Sequence, residues 1–295
     1  MMKEQYEKNH LMLLTGKLSV TVSFCFILMK VVAFIVTDSV AVLSSLFDSV
    51  QDLLTSLVAL TAIRQAVVPP DKEHRFGHGK AQAIGALVQS FVILGASVIL
   101  FKESVVRLFR QQPITDTSDG MLLIGITVII SCLLVLFQRY AIQRTNALSL
   151  RADMLHYSGD IIMNLGVIIS LFCSDMFHWY WLDGFFGIIV AGVLLRGVWY
   201  IARDSCRMLM DEEMPYRFRK DIRQTVLSFN EVKKMADLRT RTSGSCIFIQ
   251  FCIRLDSDYS LKKAHVITEM IEKKIKKRYP DTQISIYIKP FGLKR

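Results

Sequence analysis

Six long apolar segments in the first two thirds of the chain constrain its fold more than any other feature. A helix needs about 20 apolar residues to cross the hydrocarbon core of a bilayer. The whole chain is 52% hydrophobic and 21% charged, which is more apolar than an ordinary soluble domain. The sequence therefore predicts an α-helical membrane bundle of six transmembrane helices, at Leu11–Thr37, Val40–Ile63, Ala83–Leu108, Gly120–Tyr140, Ala147–Cys173 and Trp181–Ile201.

The last third of the chain has the composition of a soluble domain. A helical period precedes two strand-like runs, and Ser243-Gly244 marks a turn between them. The order αββαβ predicts a small α+β ferredoxin-like domain. We expect a transmembrane domain at 1–208 and a cytosolic ferredoxin-like domain at 209–295, with elements at Pro215–Phe229, Val232–Arg239, Cys246–Leu255, Ser260–Tyr279 and Gln283–Lys289.

The distribution of basic residues predicts how the bundle lies in the membrane. An even number of spans places both termini on one side, and the connections on that side are rich in Lys and Arg. The segments Thr37–Val40 and Cys173–Trp181 on the other side contain neither. Positively charged loops remain in the cytosol, so we expect both termini to be cytosolic.

Two apolar segments carry ionisable residues at a regular spacing. Asp48 and Asp52 lie in the second segment, and His156 and Asp160 lie in the fifth. Each pair is spaced i, i+4, so its two side chains share one helix face about one turn apart. A charged residue at the centre of a span costs about 2.5–3.5 kcal/mol on insertion scales. Four such residues on two helix faces therefore predict a functional site inside the membrane.

Three carboxylates and one imidazole have the number and type of ligands for a tetrahedral divalent metal site, with Zn²⁺ as the first candidate. Ferrous iron accepts the same ligands. The alternative is that these side chains only form hydrogen bonds and ion pairs between helices. Their charges argue against it, because His156 is the one potential cation among them and Lys30 lies near the outer half of its helix.

Four motifs in order make the chain similar to the cation diffusion facilitator family, and specifically to its bacterial ferrous-iron and zinc efflux branch. They are the Asp-x-x-x-Asp of the second segment, Phe76-Gly-His-Gly-Lys80, the stretch Arg151–Asp160, and Asp237–Gly244. The resemblance implies export of divalent cations (zinc or ferrous iron, with cadmium possible) in exchange for protons. It also implies a homodimer in the bacterial inner membrane that joins through the tail, with no organic cofactor.

The resemblance also implies roles for residues outside the bilayer. Asp71, His74 and His78 match a second, shallower metal site in the first cytosolic loop. Lys80 and Asp211 match a charge pair that joins the membrane domain to the tail. The alternative is a hydrated loop whose two histidines bind nothing.

The tail departs from the family pattern at the positions where zinc ligands are expected. His265 is present as histidine, whereas the matching ligand positions hold Ala236, Cys252, Tyr287 and Lys289. Alanine cannot bind a metal, and lysine adds a repulsive charge. The sequence therefore predicts a tail that dimerises by packing and whose metal switch is weakened or lost.

Two other functions compete with export. A membrane-embedded metalloenzyme could use the same four residues, but it would need an open coordination position and a general base nearby. The ferredoxin-like tail could instead bind nucleic acid, since Asp211–Arg295 holds 19 Lys and Arg residues against 11 Asp and Glu, a net charge of +8. Phe248 and Phe251 are an odd number of residues apart, so they point to opposite sheet faces and do not form a base-stacking platform. We therefore expect no nucleic-acid partner.

Overall fold

The computed structural model describes residues 2–37, 40–110, 118–177 and 181–292. The first two thirds of these residues form six long helices. Among the described residues, five helices are long and apolar enough to cross a membrane. The fifth helix packs among them, and its status as a sixth span stays a prediction. The helices are α1 (Met2–Thr37), α2 (Val40–Ala66), α3 (Ala81–Arg110), α4 (Ser118–Thr145), α5 (Leu148–Phe177) and α6 (Leu182–Leu209).

Each of these helices extends beyond the apolar segment that predicted it. Helix α1 begins at Met2 rather than Leu11, and α6 continues to Leu209 rather than Ile201. Hydropathy marks the stretch suited to the hydrocarbon core, whereas backbone hydrogen bonding continues through the polar ends of a helix. We call the end of the bundle where α6 leads into the C-terminal domain the tail side, and the opposite end the far side.

Helices α3 and α6 form the closest pair in the bundle. Gly184 of α6 faces the backbone of α3, and a Cβ atom placed on it would lie 2.7 Å from the backbone N of Leu108 and from the carbonyl O of Ser104. Gly187 meets the Ser104 side chain in the same way. Small residues at a helix interface let two backbones approach closely inside a membrane. Close backbone packing at these glycines therefore holds α3 against α6.

The C-terminal domain has the predicted α+β architecture. Its three-stranded sheet has the order β1-β2-β3, with β1 and β2 antiparallel and β2 and β3 parallel. Residues of both helices and β2 form one buried core, including Ile222, Phe251 and Ile271. The elements are α7 (Tyr216–Leu227), β1 (Lys234–Ser243), β2 (Cys246–Leu255), α8 (Leu261–Arg278) and β3 (Thr282–Pro290).

The predicted first strand ended too early. Val232–Arg239 was expected, but β1 continues to Ser243 and turns at Gly244, which has a φ of +60°. The register with β2 shifts between Ala236 and Arg239, and such a bulge changes which residues face each side of a sheet. The alternation therefore breaks within the strand, and a regular period cannot locate its end.

Candidate metal centre

Side chains from α2 and α5 form a cluster within the bundle. One ligand atom each from Asp52, His156 and Asp160 lie within 4.8 Å of one another. Nε2 of His156 is 2.7 Å from Oδ1 of Asp52 and 3.9 Å from Oδ2 of Asp160. Because α2 and α5 are in contact, the two i, i+4 faces can bring these three groups together.

Exposure across this cluster is uneven. The side chains of His156 and Asp52 are 10% and 15% exposed, whereas that of Asp160 is 38% exposed. Asp160 lies one turn nearer the far side than His156, since α5 runs from the tail side to the far side. The cluster is therefore closed toward the tail side and more open toward the far side.

Asp48, the fourth predicted ligand, lies outside the group of three. It is exposed, and it stands one turn from Asp52 in the direction of the far side. It is close enough to Lys30, Asp52 and His156 to interact with them electrostatically. Lys30 donates a hydrogen bond from Nζ to the carbonyl O of Ser45, at 2.9 Å, so this lysine is held against the same turn of α2. Four-ligand coordination would require Asp48 to turn toward the cluster.

A further carboxylate lies one turn from His156 on the tail side. Asp153 is fully buried. Ser56 Oγ donates to its Oδ1 at 3.0 Å, and Gln138 Nε2 donates to its Oδ2 at 2.8 Å. The same amide nitrogen also donates to Ser19 Oγ, at 3.0 Å. Single polar residues on four different helices carry no periodic signal, so the sequence pattern could not show that they meet.

The loop between α2 and α3 holds a second cluster of metal-binding side chains. One ligand atom each from Asp71, His74 and His78 lie within 4.8 Å of one another. Nδ1 of His74 is 3.5 Å from Oδ1 of Asp71, and Nε2 of His78 is 3.3 Å from Oδ2. These residues lie in a turn-rich loop between the two helices. The side chain of His78 is 7% exposed, so the cluster has one buried and two exposed members.

Backbone geometry keeps the loop carboxylate charged. The backbone N–H groups of His74 and Glu73 donate to Asp71. The hydrogen bond from His74 is the largest cause of the lowered pKa of Asp71, because a hydrogen bond to the charged form favours it. Asp71 is therefore ionised at neutral pH and can offer charged oxygens to a cation.

Lys80 and Asp211 form the predicted ion pair between the bundle and the tail. Lys80 Nζ is 2.9 Å from Oδ1 of Asp211 and also donates to the carbonyl O of Leu209, at 3.3 Å. Arg241 of β1 contacts the other carboxylate oxygen at 3.2 Å. Burial raises the pKa of Asp211, but the hydrogen bond and charge of Lys80, together with Arg241, outweigh burial and hold this pKa below its ordinary value.

This ion pair predicts an acid-sensitive stability. A lowered pKa in the folded state stabilises the fold above the unfolded pKa of about 3.9 and loses that effect as pH falls further. We expect Asp211→Asn to lower the midpoint of thermal unfolding at about pH 7 and about pH 5, with the difference from the parent shrinking below about pH 4. Asparagine tolerates the positive φ of 55° at this position.

Asp258→Asn, at an exposed position of the tail, is the matched control and should leave the midpoint unchanged. Thermal unfolding of the detergent-solubilised chain, followed by intrinsic fluorescence, measures both. A difference for Asp211→Asn that had already vanished at about pH 5 would contradict the lowered pKa.

The tail positions where family ligands are expected lie close together, but their side chains offer few atoms that can bind a metal. Ala236 pairs with Cys252, and Cys252 pairs with Tyr287, so the three share one row across the sheet. Cys252 is buried, and Lys289 pairs with Arg254 in a neighbouring basic row. Within the described residues, groups of three or more metal-binding side chains occur in the bundle and the loop, and neither lies in the tail.

Phe248 and Phe251 lie on opposite sides of β2, as their spacing predicted. Phe251 is fully buried in the core of the tail. Phe248 meets the ring of Phe76, with 5.7 Å between centroids, and the guanidinium of Arg241 lies 4.6 Å from the Phe76 centroid and 4.9 Å from the Phe248 centroid. The two rings therefore do not form a shared stacking surface.

Comparison with known proteins assigns both parts of the chain. Residues 16–210 match the family described as "Cation efflux transmembrane domain", and residues 214–291 match "Cation efflux protein, cytoplasmic domain". The chain is 33% identical over 277 residues to the cation-efflux pump FieF of Shewanella oneidensis, covering 94% of this chain and 93% of that protein. It is 34% identical over 268 residues to FieF of Salmonella arizonae, covering 91% and 89%.

Among solved structures, the metal-bound C-terminal domain of the CzcD transporter from Thermotoga maritima is 29% identical. It covers 28% of this chain and 100% of its own, with a TM-score of 0.26. The two relatives that align over more than nine tenths of the chain are cation-efflux pumps, so the chain is a transporter and the metalloenzyme alternative is set aside. The chain belongs to the cation diffusion facilitator family of membrane transporters that carry divalent metal ions.

Proposed function

We propose that this chain exports zinc or ferrous iron from the cytosol of a bacterial cell in exchange for protons. The observation that carries the proposal is the cluster of Asp52, His156 and Asp160 inside the helix bundle. Two carboxylates and one imidazole suit the borderline divalent metals. Asp48 becomes a fourth ligand when its side chain turns inward, which completes a tetrahedral site for the ion.

The contact between His156 and Asp52 supports an exchange of metal for protons. Nε2 of His156 and Oδ1 of Asp52 are 2.7 Å apart, which is a hydrogen-bond distance. An ionised carboxylate can only accept, so beside it the nitrogen carries the N–H that donates the hydrogen bond. The same nitrogen can bind a metal only after it loses that proton, because a metal ligand must present a lone pair. Metal and proton therefore compete for one atom, and each displaces the other.

We also propose a membrane topology, a domain boundary and an oligomeric state for this chain. All six long helices cross the inner membrane, with the tail side in the cytosol as the basic loops predict. The domain boundary lies near residues 208–209. Two chains associate through their tails. This association is supported by the match of the tail to a family of cytoplasmic domains that is named for its dimer. The ion is cargo, and no organic cofactor is required.

Transport by purified protein in sealed vesicles tests this function. With a metal-sensitive dye inside, we expect zinc added outside to enter through the fraction of chains that present their tail side outward. A pH-sensitive dye should report proton movement in the opposite direction. Competition with ferrous iron, cadmium and manganese then ranks the cargo. Metal uptake that leaves the proton signal unchanged would refute the exchange.

We further propose that Asp71, His74 and His78 bind a second metal ion and deliver it to the membrane site. His78 is nearly buried and faces an ionised carboxylate, whereas His74 and Asp71 are open to solvent. His78→Ala should therefore reduce the number of zinc ions bound per chain by one. It should also raise the apparent KM for transport by about tenfold, within the range seen when groups that support a metal site are removed.

Equilibrium dialysis with metal analysis gives the binding stoichiometry, and vesicle transport gives the KM. His10→Ala, at an exposed position of α1, is the control and should change neither. Unaltered stoichiometry in His78→Ala would show that the loop histidines bind nothing.

A further inference from the structure

A layer of buried polar side chains separates the metal cluster from the tail side of the bundle. It includes the hydrogen bonds of Asp153 described above, and Tyr157 extends it. The Tyr157 hydroxyl lies 2.5 Å from Ser23 Oγ and 3.2 Å from Ser56 Oγ. Each of these side chains is buried. We call this group the buried polar layer; its members are Ser19, Ser23, Ser56, Gln138, Asp153 and Tyr157.

The hydrogen bonds of the buried polar layer join different helices. Ser19 and Ser23 belong to α1, Ser56 to α2 and Gln138 to α4, while Asp153 and Tyr157 belong to α5. The layer thus connects α1, α2, α4 and α5 to one another. A hydroxyl that bonds its own helix behaves differently: Ser90 of α3, for example, donates to the carbonyl O of Ala86 at 2.8 Å.

The layer occupies the route that an ion would follow from the tail side. Along α2, Asp52 is followed by Ser56 one turn later and by Ile63 two turns beyond that. Ile63 is fully buried in an apolar cluster with Met12 and Leu150. On the opposite side of His156, the Asp160 side chain is 38% exposed. Among the residues that the structure describes, a polar layer and an apolar layer therefore cover the cluster toward the tail side, whereas Asp160 on its other side is partly exposed.

We propose that the buried polar layer is the tail-side gate of the transport site. Its interhelical hydrogen bonds hold α1, α2, α4 and α5 together, and they break when the site opens for loading from the tail side. The freed carboxylate of Asp153 then offers an entering cation an oxygen ligand one turn before His156. This inference rests on the proposed export function and adds the residues that control access to its site.

Removing one hydroxyl from the layer should shift the balance between closed and open forms by a measurable factor. Interhelical hydrogen bonds in membrane proteins are modest, and their loss changes an equilibrium by about threefold in a typical case and up to about twentyfold. Ser56→Ala removes a hydroxyl shared by α1, α2 and α5, and Tyr157→Phe keeps the ring while removing its hydroxyl. Both variants should favour the open form.

Opening of the gate is measured with a single thiol, which Ile63→Cys introduces. The six native cysteines of this chain are replaced by serine. The rate at which a maleimide modifies the single thiol is measured on detergent-solubilised, metal-free protein. We expect Ser56→Ala and Tyr157→Phe each to raise this rate between about threefold and about twentyfold. Ser90→Ala, which removes an equally buried hydroxyl bonded within its own helix, should leave it within about twofold.

Transport provides a second readout that a general loss of stability would not produce. A gate that opens more readily should lower the apparent KM for zinc presented on the tail side and also lower kcat, because return to the closed form becomes slower. If Ser56→Ala and Tyr157→Phe were modified at the same rate as Ser90→Ala while the parent transported zinc, the proposed gate would be refuted and the export function would stand. If the parent moved no zinc while both variants reacted faster, export would be refuted. The faster reaction would still show that the hydrogen bonds of the layer keep Ile63→Cys inaccessible.

Discussion

His156→Ala is expected to abolish metal transport, with a loss greater than about 100-fold in kcat/KM. His156 supplies the one nitrogen of the cluster, and its Nε2 faces Oδ1 of Asp52 at 2.7 Å. Loss of groups that merely support a metal ligand already reduces affinity or activity by about 10–100-fold, so loss of the ligand itself should exceed that. Asp160→Ala should have a comparable effect, because it removes the second carboxylate of the group.

Zinc flux and proton flux in sealed vesicles measure this loss together. His10→Ala, at an exposed position of α1, is the control and should transport at the parental rate. Circular dichroism of the purified variant must show that the helices persist. Parental flux through Asp160→Ala would place the ion elsewhere in the bundle and remove the basis of the proposed function.

Gly184→Ala is expected to destabilise the bundle by about 3 kcal/mol, at the upper end of what an added methyl group does in a packed interior. The new Cβ would lie 2.7 Å from backbone atoms of α3, and a backbone cannot rotate away as a side chain can. Helices α3 and α6 would therefore have to separate along their contact. The midpoint of thermal unfolding should fall by roughly 5–10 °C.

Gly192→Ala, in the same helix, provides a control of opposite sign. A Cβ at Gly192 would have nothing within 4 Å among the described atoms, so the substitution should keep or raise stability by up to about 1 kcal/mol through helix propensity. Thermal unfolding of both variants in one detergent gives the comparison. Equal midpoints would show that α3 and α6 can separate without penalty.

The long helices, the α+β tail and the proximity of His156 to Asp160 could be predicted because each depends on local spacing. Apolar length gave the positions of the long helices, and the i, i+4 spacing placed His156 and Asp160 on one face. The family model and the full-length relatives confirmed the expected family. Residues 71–78 carried metal-binding side chains in a short stretch, so their proximity in the loop followed from the chain itself.

The contacts between distant helices could not be predicted in the same way. Gln138 and Asp153 meet through the packing of α4 against α5, and Ser19 joins them from α1. Each is an isolated polar residue in an apolar run, and its partner depends on how each helix is rotated about its axis. The position of Asp48 outside the group of three has the same origin, since side-chain direction and helix rotation decide which of two residues on a face reaches the cluster.

The row of Ala236, Cys252 and Tyr287 across the tail sheet determines how export should respond to the metal content of the cell. Where several ions must bind cooperatively before a transporter becomes active, the rate rises steeply above a threshold concentration. This row offers one buried thiol beside an alanine and a tyrosine, so we expect the tail to supply no such threshold. The rate should instead follow a simple saturation curve, and export would begin at the lowest free metal concentrations that the bundle can bind.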